Sequence, residues 1–292
     1  MSVHTFESMG TVISIRLAPD VGTDAPDAAR AIAPAHALAL AEIRRVFDDL
    51  DRRFSLYDPA SELSLIADGS LPLSDSSPEM RGAYADALGW RERTNGAFTP
   101  HRPDGVLDLS GLIKSVAIER AGRVLERHGH RVFSINAGGD ILTGGVPSGS
   151  AWITGITDAA DRTGLLTQVT LSPEWPAVAT SGSAERGNHI WLRPDTDRSF
   201  RQATVIAESI VTADVLATAI IAGGQTTLDH VTDRFPVAVL VQHAGGALLA
   251  NPAFRALIVR GPDGRQSLDL TTEPSHDDAA PSPVPESPER PA

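Results

Sequence analysis

Apolar residues recur with helical spacing through most of the first half of the chain and with strand spacing through most of the second. That order restricts the fold more than any other feature. Thr11 to Leu17 sets Ile13, Ile15 and Leu17 against Ser14 and Arg16, the alternation of a half-buried strand. Ile43, Val46, Phe47, Leu50 and Phe54 then follow a helical period, with Arg44, Arg45, Asp48, Asp49 and Asp51 on the opposite side. Residues 18–35, rich in Ala, Asp and Pro, read as a loop leading into that helix. Ser77-Pro78 opens a second helix as cap and first turn. Met80, Tyr84 and Leu88 form its apolar stripe, and Asn95-Gly96 ends it. A third helix follows Gly111, with Ala117, Ala121, Val124 and Leu125 inward. Strand-like runs then dominate, at 131–135, 151–157, 165–171, 175–180, 189–193 and 203–207. Residues 212–222 read as a helix, and 236–242 and 254–259 as closing strands. Helices grouped ahead of strands predict an α+β fold rather than a doubly wound sheet.

The expected division is one domain over residues 1–265 and a disordered tail over 272–292. The last twenty residues hold six of the 21 prolines, among Ser, Asp and Glu. Such a segment buries too little surface to offset its ordering entropy. With 41% hydrophobic residues, the rest can bury a sizeable core. The net charge of −12 argues against general nucleic-acid binding. An acidic protein that handles phosphates needs a local remedy, such as a metal ion or a helix N-terminus. The absence of cysteine removes disulfides, thiolate metal sites and Cys nucleophiles together. No run reaches the roughly 18–20 apolar residues of a membrane span. The first residues lack the basic and apolar stretches of a secretory signal, so the cytoplasm is the expected compartment.

Four segments could carry chemistry. Val106-Leu-Asp-Leu-Ser-Gly-Leu-Ile-Lys114 puts an acid before a turn and a base in the first turns of the next helix. That suits a phosphate or ribose ligand, or equally a capped helix with a surface lysine. Ser134-Ile-Asn-Ala-Gly-Gly-Asp140 brings two glycines after a strand, either for close backbone approach to a ligand or for a plain hairpin turn. It is not the GxGxxG of a dinucleotide fold. Between Val178 and His189 a strand breaks into Thr180, Ser181 and Gly182. Those hydroxyls can meet an anion, and a strand histidine is either structural or catalytic. Asp214 and Thr218 stand four apart, so a helix stacks a carboxylate and a hydroxyl on one face. Two hard oxygens suit Mg²⁺, which also takes water and substrate phosphates. The plainer reading is Thr212 as helix cap with Asp214 in the first turn.

In this order and spacing the segments resemble the ApbE family, the FAD:protein FMN transferases. The resemblance rests on Met9-Gly10-Thr11, Phe54-Ser55-Leu56-Tyr57 with Ser61-Glu62-Leu63, Gly96-Ala97-Phe98 and the Asp108–Lys114 segment. It continues with Asn136-Ala-Gly-Gly-Asp140, Ala179-Thr-Ser-Gly182, His189-Ile190, and Ala213-Asp214 with Ala217-Thr218. It spans roughly residues 3–260. The resemblance implies a single α+β domain with a cleft that binds FAD. It implies Mg²⁺ held by Asp214, Thr218 and the backbone carbonyl of Gly111, and Tyr57 near the isoalloxazine. Met9, Ala97, Phe98, Thr99, Asp108 and Lys114 match further FAD contacts, with Thr180 and Ser181 on the same ligand. The implied reaction cuts the FAD diphosphate, joins FMN through its phosphate to a threonine hydroxyl of an acceptor protein, and releases AMP. His189 is the candidate base for that hydroxyl, acting beside Asp214.

The chain departs from the family pattern at several places. Thr99 stands where the family usually has Asp, and Ser115 where it has Gly. After His189, Arg193 replaces an Asp and Asp197 a Gly, and the 183–188 loop is short. This leaves two expectations. One is an Mg²⁺-dependent flavin transferase. The other is a flavin-binding member with weak or no transfer, serving as an FAD carrier or FAD pyrophosphatase.

Overall fold

The computed structural model describes residues 2–18, 26–148, 150–161, 163–182 and 199–260. Its centre is an antiparallel sheet of eight strands. In chain order these are β1 (Ser2–Ser8), β2 (Thr11–Leu17), β3 (Phe133–Ala137), β4 (Asp140–Gly144), β7 (Ala177–Gly182), β8 (Phe200–Ala207), β9 (Ala238–His243) and β10 (Leu248–Ala250). They lie side by side in that same order. Between β4 and β7 the chain leaves the sheet to form a separate hairpin, β5 (Trp152–Thr157) and β6 (Leu165–Leu171).

Helices cover one face of the large sheet. They are α1 (Pro26–Phe54), α2 (Glu62–Ala67), α3 (Pro78–Arg93), α4 (Ser110–Arg127) and α5 (Ile210–Arg234). The β5–β6 hairpin and the short α6 (Pro252–Leu257) cover the other face. The middle strands are therefore buried on both sides and read as nearly continuous apolar runs. Ala177, Ala179, Ala203, Val205 and Val239 join the core on the helical face, while Val178, Ile206 and Leu240 join the second core. The outer strands β1 and β2 keep a period of two. Ile13 and Ile15 are buried, whereas Val3 and Val12 face water.

α5 is apolar on all sides because it packs between α4 and the sheet. It is long and apolar enough to cross a membrane, but 67% of its most apolar stretch is buried inside the domain, as in a core helix. The antiparallel sheet and packed helices make this an α+β fold, as the order of periodicities predicts.

The structure corrects several boundaries. α1 begins at Pro26, so most of the expected loop over 18–35 is helix. The 212–222 helix begins at Ile210 and breaks at Gly224, where φ is 65° and ψ −152°, close to its expected end, and a second helical stretch continues α5 to Arg234. Residues 254–259 are not a strand. The Asn251 side chain accepts the Phe254 N–H and Pro252 occupies the first turn, so a helix forms, and Ile258 alone bridges to Val169. The run 189–193, His189 itself, the domain end at 265 and the tail 272–292 lie outside the described residues.

Candidate active site

The site is built where α4, α5 and the β4–β7 pair meet. The β3–β4 turn carries glycines at φ 63° and 98°, the backbone of a two-residue primed turn, and Gly139 N–H donates to Asn136 Oδ1 at 3.0 Å. The hairpin reading of this segment therefore holds. The chemical feature is the residue just past the turn. Asp140 opens β4 and is 0% exposed. A carboxylate in such a place requires partners. The Lys114 ammonium, from the first turns of α4, contacts Asp140 Oδ2, and Thr180 N–H on β7 donates to Oδ1 at 3.2 Å. Lys114 is thus turned inward and is not a surface lysine. It also lies 3.8 Å from Asp214 Oδ1.

Asp214 is 3% exposed. The cap of α5 is Ser209, not Thr212: its hydroxyl accepts the Thr212 N–H at 3.5 Å. Asp214 is therefore the fifth helical residue, beyond the N-terminal turn. Burial beside a lysine, rather than dipole stabilisation, describes its place. One turn on, Thr218 Oγ1 is 3.1 Å from Ser181 Oγ. Thr180 pairs its hydroxyl with Thr204 Oγ1 at 2.9 Å. Lys114, Asp140, Thr180, Ser181, Asp214 and Thr218 are thereby linked in one patch. Asp140 and Thr204 are its members that motif reading undervalued. The signal for Thr204 was a lone hydroxyl in the apolar run of β8.

Gly111 is the second residue of α4. Its Cα faces the Phe98 ring, which would stand 3.2 Å from any added Cβ. On the other side of the same segment, Ala97 Cβ would stand 3.0 Å from a Cβ at Gly223 of α5. Asn95 and Gly96, both at positive φ, turn the chain out of α3 into this segment, and Thr94 Oγ1 accepts the Phe98 N–H at 3.1 Å. Thr99 Oγ1 accepts the His101 N–H at 3.2 Å. The Asp108 N–H donates to Pro100 O at 2.8 Å, and its Oδ1 accepts the Ser110 N–H two residues on at 2.9 Å. The cap position of α4 is Leu109, which makes no side-chain cap bond, so the capped-helix reading does not hold here. Met9 sits in the β1–β2 turn at φ 50°, and its N–H donates to Asp51 Oδ2 at 3.3 Å. Tyr57 is 84% exposed in the loop after α1. No hydrogen bond, ion pair or ring contact joins it to Asp108 or Lys114 among the described residues.

The donor set fits a hard divalent cation. Asp214 offers a carboxylate, and Thr218 and Ser181 beside it offer hydroxyls. No group of three or more His, Asp or Glu side chains gathers as a metal cluster among the described residues. A cation here would draw its remaining ligands from water and phosphate, which is the habit of Mg²⁺.

Fold and site together define a class, an antiparallel α+β domain shared with solved ApbE proteins. The ApbE protein of Thermotoga maritima aligns over 89% of this chain and 99% of its own, with a TM-score of 0.68 at 20% identity. The flavin transferase ApbE of Vibrio cholerae aligns over 88% and 98%, at 0.66 and 20%. The flavinyl transferase ApbE of Pseudomonas stutzeri, in its apo form, aligns over 88% and 98%, at 0.67 and 18%. No curated protein matches by sequence. The chain belongs to the ApbE family, whose model matches residues 9–102 and 100–241.

Proposed function

We propose that this protein is an Mg²⁺-dependent FAD:protein FMN transferase. The observation that carries the reading is the buried patch in which Lys114 stands between Asp140 and Asp214, with Thr218 and Ser181 beside them. In an acidic chain this is where a diphosphate can meet both an ammonium and a bound cation. Asp214, Thr218 and the Gly111 carbonyl would hold Mg²⁺, which supplies Lewis-acid and charge-bridging chemistry to the diphosphate. Lys114 neutralises phosphate charge, and the hydroxyls of Thr180 and Ser181 orient it. Met9, Ala97, Phe98, Thr99 and Asp108 line the remainder of the FAD site, and Tyr57 stacks on the isoalloxazine.

His189 takes the proton of the acceptor threonine hydroxyl. The hydroxyl oxygen bonds to the FMN phosphorus, the bond from that phosphorus to the bridging oxygen breaks, and AMP departs. Such transfer depends mainly on positioning and electrostatics. The test is incubation with FAD, Mg²⁺ and a threonine-bearing acceptor. The acceptor gains the mass of an FMN phosphoester and AMP appears in equal amount. AMP without the mass gain assigns the chain to FAD hydrolysis instead. That second reading is favoured by Arg193 and Asp197, which depart from the family pattern beside His189. The departure at Ser115 does not favour it, because Ser115 is buried and its hydroxyl donates to Leu112 O at 2.9 Å within α4.

A further inference from the structure

We propose that Asp140 is the positioning residue that holds Lys114 off Asp214, and so sets how tightly the Asp214–Thr218 pair takes a divalent cation; this rests on the reading of that pair as metal ligands. The geometry is asymmetric. The Lys114 ammonium contacts Asp140 directly but stays 3.8 Å from Asp214 Oδ1. Asp140 cannot swing away. It is wholly buried, it comes directly after the Gly138-Gly139 turn, it pairs with Ala137, and its second oxygen accepts the Thr180 N–H. Lys114, on a flexible stem, is the movable member.

An ammonium and a divalent cation compete for the same carboxylate. With a carboxylate at position 140 the lysine has a nearer anion than Asp214. With the neutral amide of Asp140→Asn, Asp214 is the nearest anion to Lys114 among the described residues, and a cation must compete with it. Asp140 thus acts on the metal through Lys114 and touches neither metal nor substrate.

The test titrates Mn²⁺ into the full chain without flavin, reading free Mn²⁺ by electron paramagnetic resonance. Asp140→Asn keeps an acceptor for the Thr180 N–H and removes the charge. Its Mn²⁺ Kd should rise about tenfold or more, since the ammonium that already stands 3.8 Å from Asp214 Oδ1 loses the anion that offsets it. Lys114→Met should bind Mn²⁺ more tightly than the wild type. The double variant should bind as tightly as Lys114→Met, because without the lysine Asp140 has nothing to act through, the non-additivity of two residues that act through each other.

A double variant weaker than Lys114→Met by the factor that separates Asp140→Asn from the wild type overturns the proposal, since Asp140 would then act without Lys114. Unchanged affinity in Asp140→Asn, with Asp214→Asn abolishing binding, overturns it while leaving the metal reading intact. A wild type that binds no Mn²⁺ overturns both. Should either single variant fail to fold, the double variant, which strands no carboxylate at position 140, decides alone: tighter binding than the wild type supports the proposal, and equal or weaker binding overturns it.

Discussion

Arg53, Glu62, Glu79 and Arg120 join α1, α2, α3 and α4 near the surface, while Lys114, Asp140 and Asp214 meet between α4, α5 and the sheet. The outer group is half-wet. Arg53 Nη1 is 3.1 Å from Glu79 and 4.0 Å from Glu62, and Arg120 reaches the other oxygen of Glu79. Glu62 also accepts from the Ser77 hydroxyl at 2.8 Å, at the start of α3. Water screens these pairs, so each contributes little to stability and their service is to align helix ends. The inner group holds two buried carboxylates against one ammonium. Removing such charges from water costs several kcal/mol per ion, which good geometry only partly offsets. The same residue types therefore fasten helices in one place and, in the other, gather buried carboxylates among the described residues whose negative charge a cation can offset.

Lys114→Ala should show the contrast most sharply. It strands Asp140 and should destabilise the fold by about 3–5 kcal/mol, the usual penalty for breaking a buried pair from one side. Urea unfolding measures it. Asp214→Ala comes next, in rate rather than stability. Metal assistance is worth several kcal/mol, so Mg²⁺-dependent AMP release should fall at least about a hundredfold while the unfolding midpoint holds. Unchanged turnover would leave the inner group without a chemical purpose. Tyr57→Ala belongs to neither group. Stacking on a planar ring adds about 0.5–1.5 kcal/mol, so FAD affinity should fall roughly threefold to tenfold by fluorescence titration. Its exposed side chain leaves stability unaltered. Arg120→Ala should be the mildest, at about 0.2–1 kcal/mol in the same urea assay as Lys114→Ala. Equal losses at Arg120 and Lys114 would break the distinction between the two clusters.

Elements with one wet face were readable from their period, as in the stripe of α4 and the alternation of β2, and the doubly buried β7, β8 and β9 from their apolar runs. In α3 the buried face runs through Met80, Ala87 and Trp90, so Leu88 was misplaced on the stripe. The first half of α1 hid behind Pro26, Pro34 and a run of alanines, which lack a stripe of large apolar residues. β1 went unread because its inward positions include His4 and Ser8 beside Phe6. α5 does break at Gly224, just past the expected end at Ala222, and what went unread is the second helical stretch to Arg234. At the site, the one-face spacing of Asp214 and Thr218 was visible from four-residue periodicity alone. The link from Lys114 to Asp140 was not, since it joins a helix to a strand that only the sheet order brings alongside.

Gly111 and Gly223 approach the Ala97-Phe98 segment from two different helices: an added Cβ would stand 3.2 Å from the Phe98 ring at the first and 3.0 Å from Ala97 Cβ at the second, where it would also meet Thr227 of its own helix. In mechanical terms the segment is a shim. The spacing between α4, which carries Lys114, and α5, which carries Asp214, is gauged by the thickness of an aromatic ring on one side and of an alanine on the other. Both helices bear on the same spacer, so an error in seating it moves the ammonium and the carboxylate relative to each other. A side chain that touches neither charge can then detune both. The tolerance of the site is held by residues whose whole contribution is their lack of bulk.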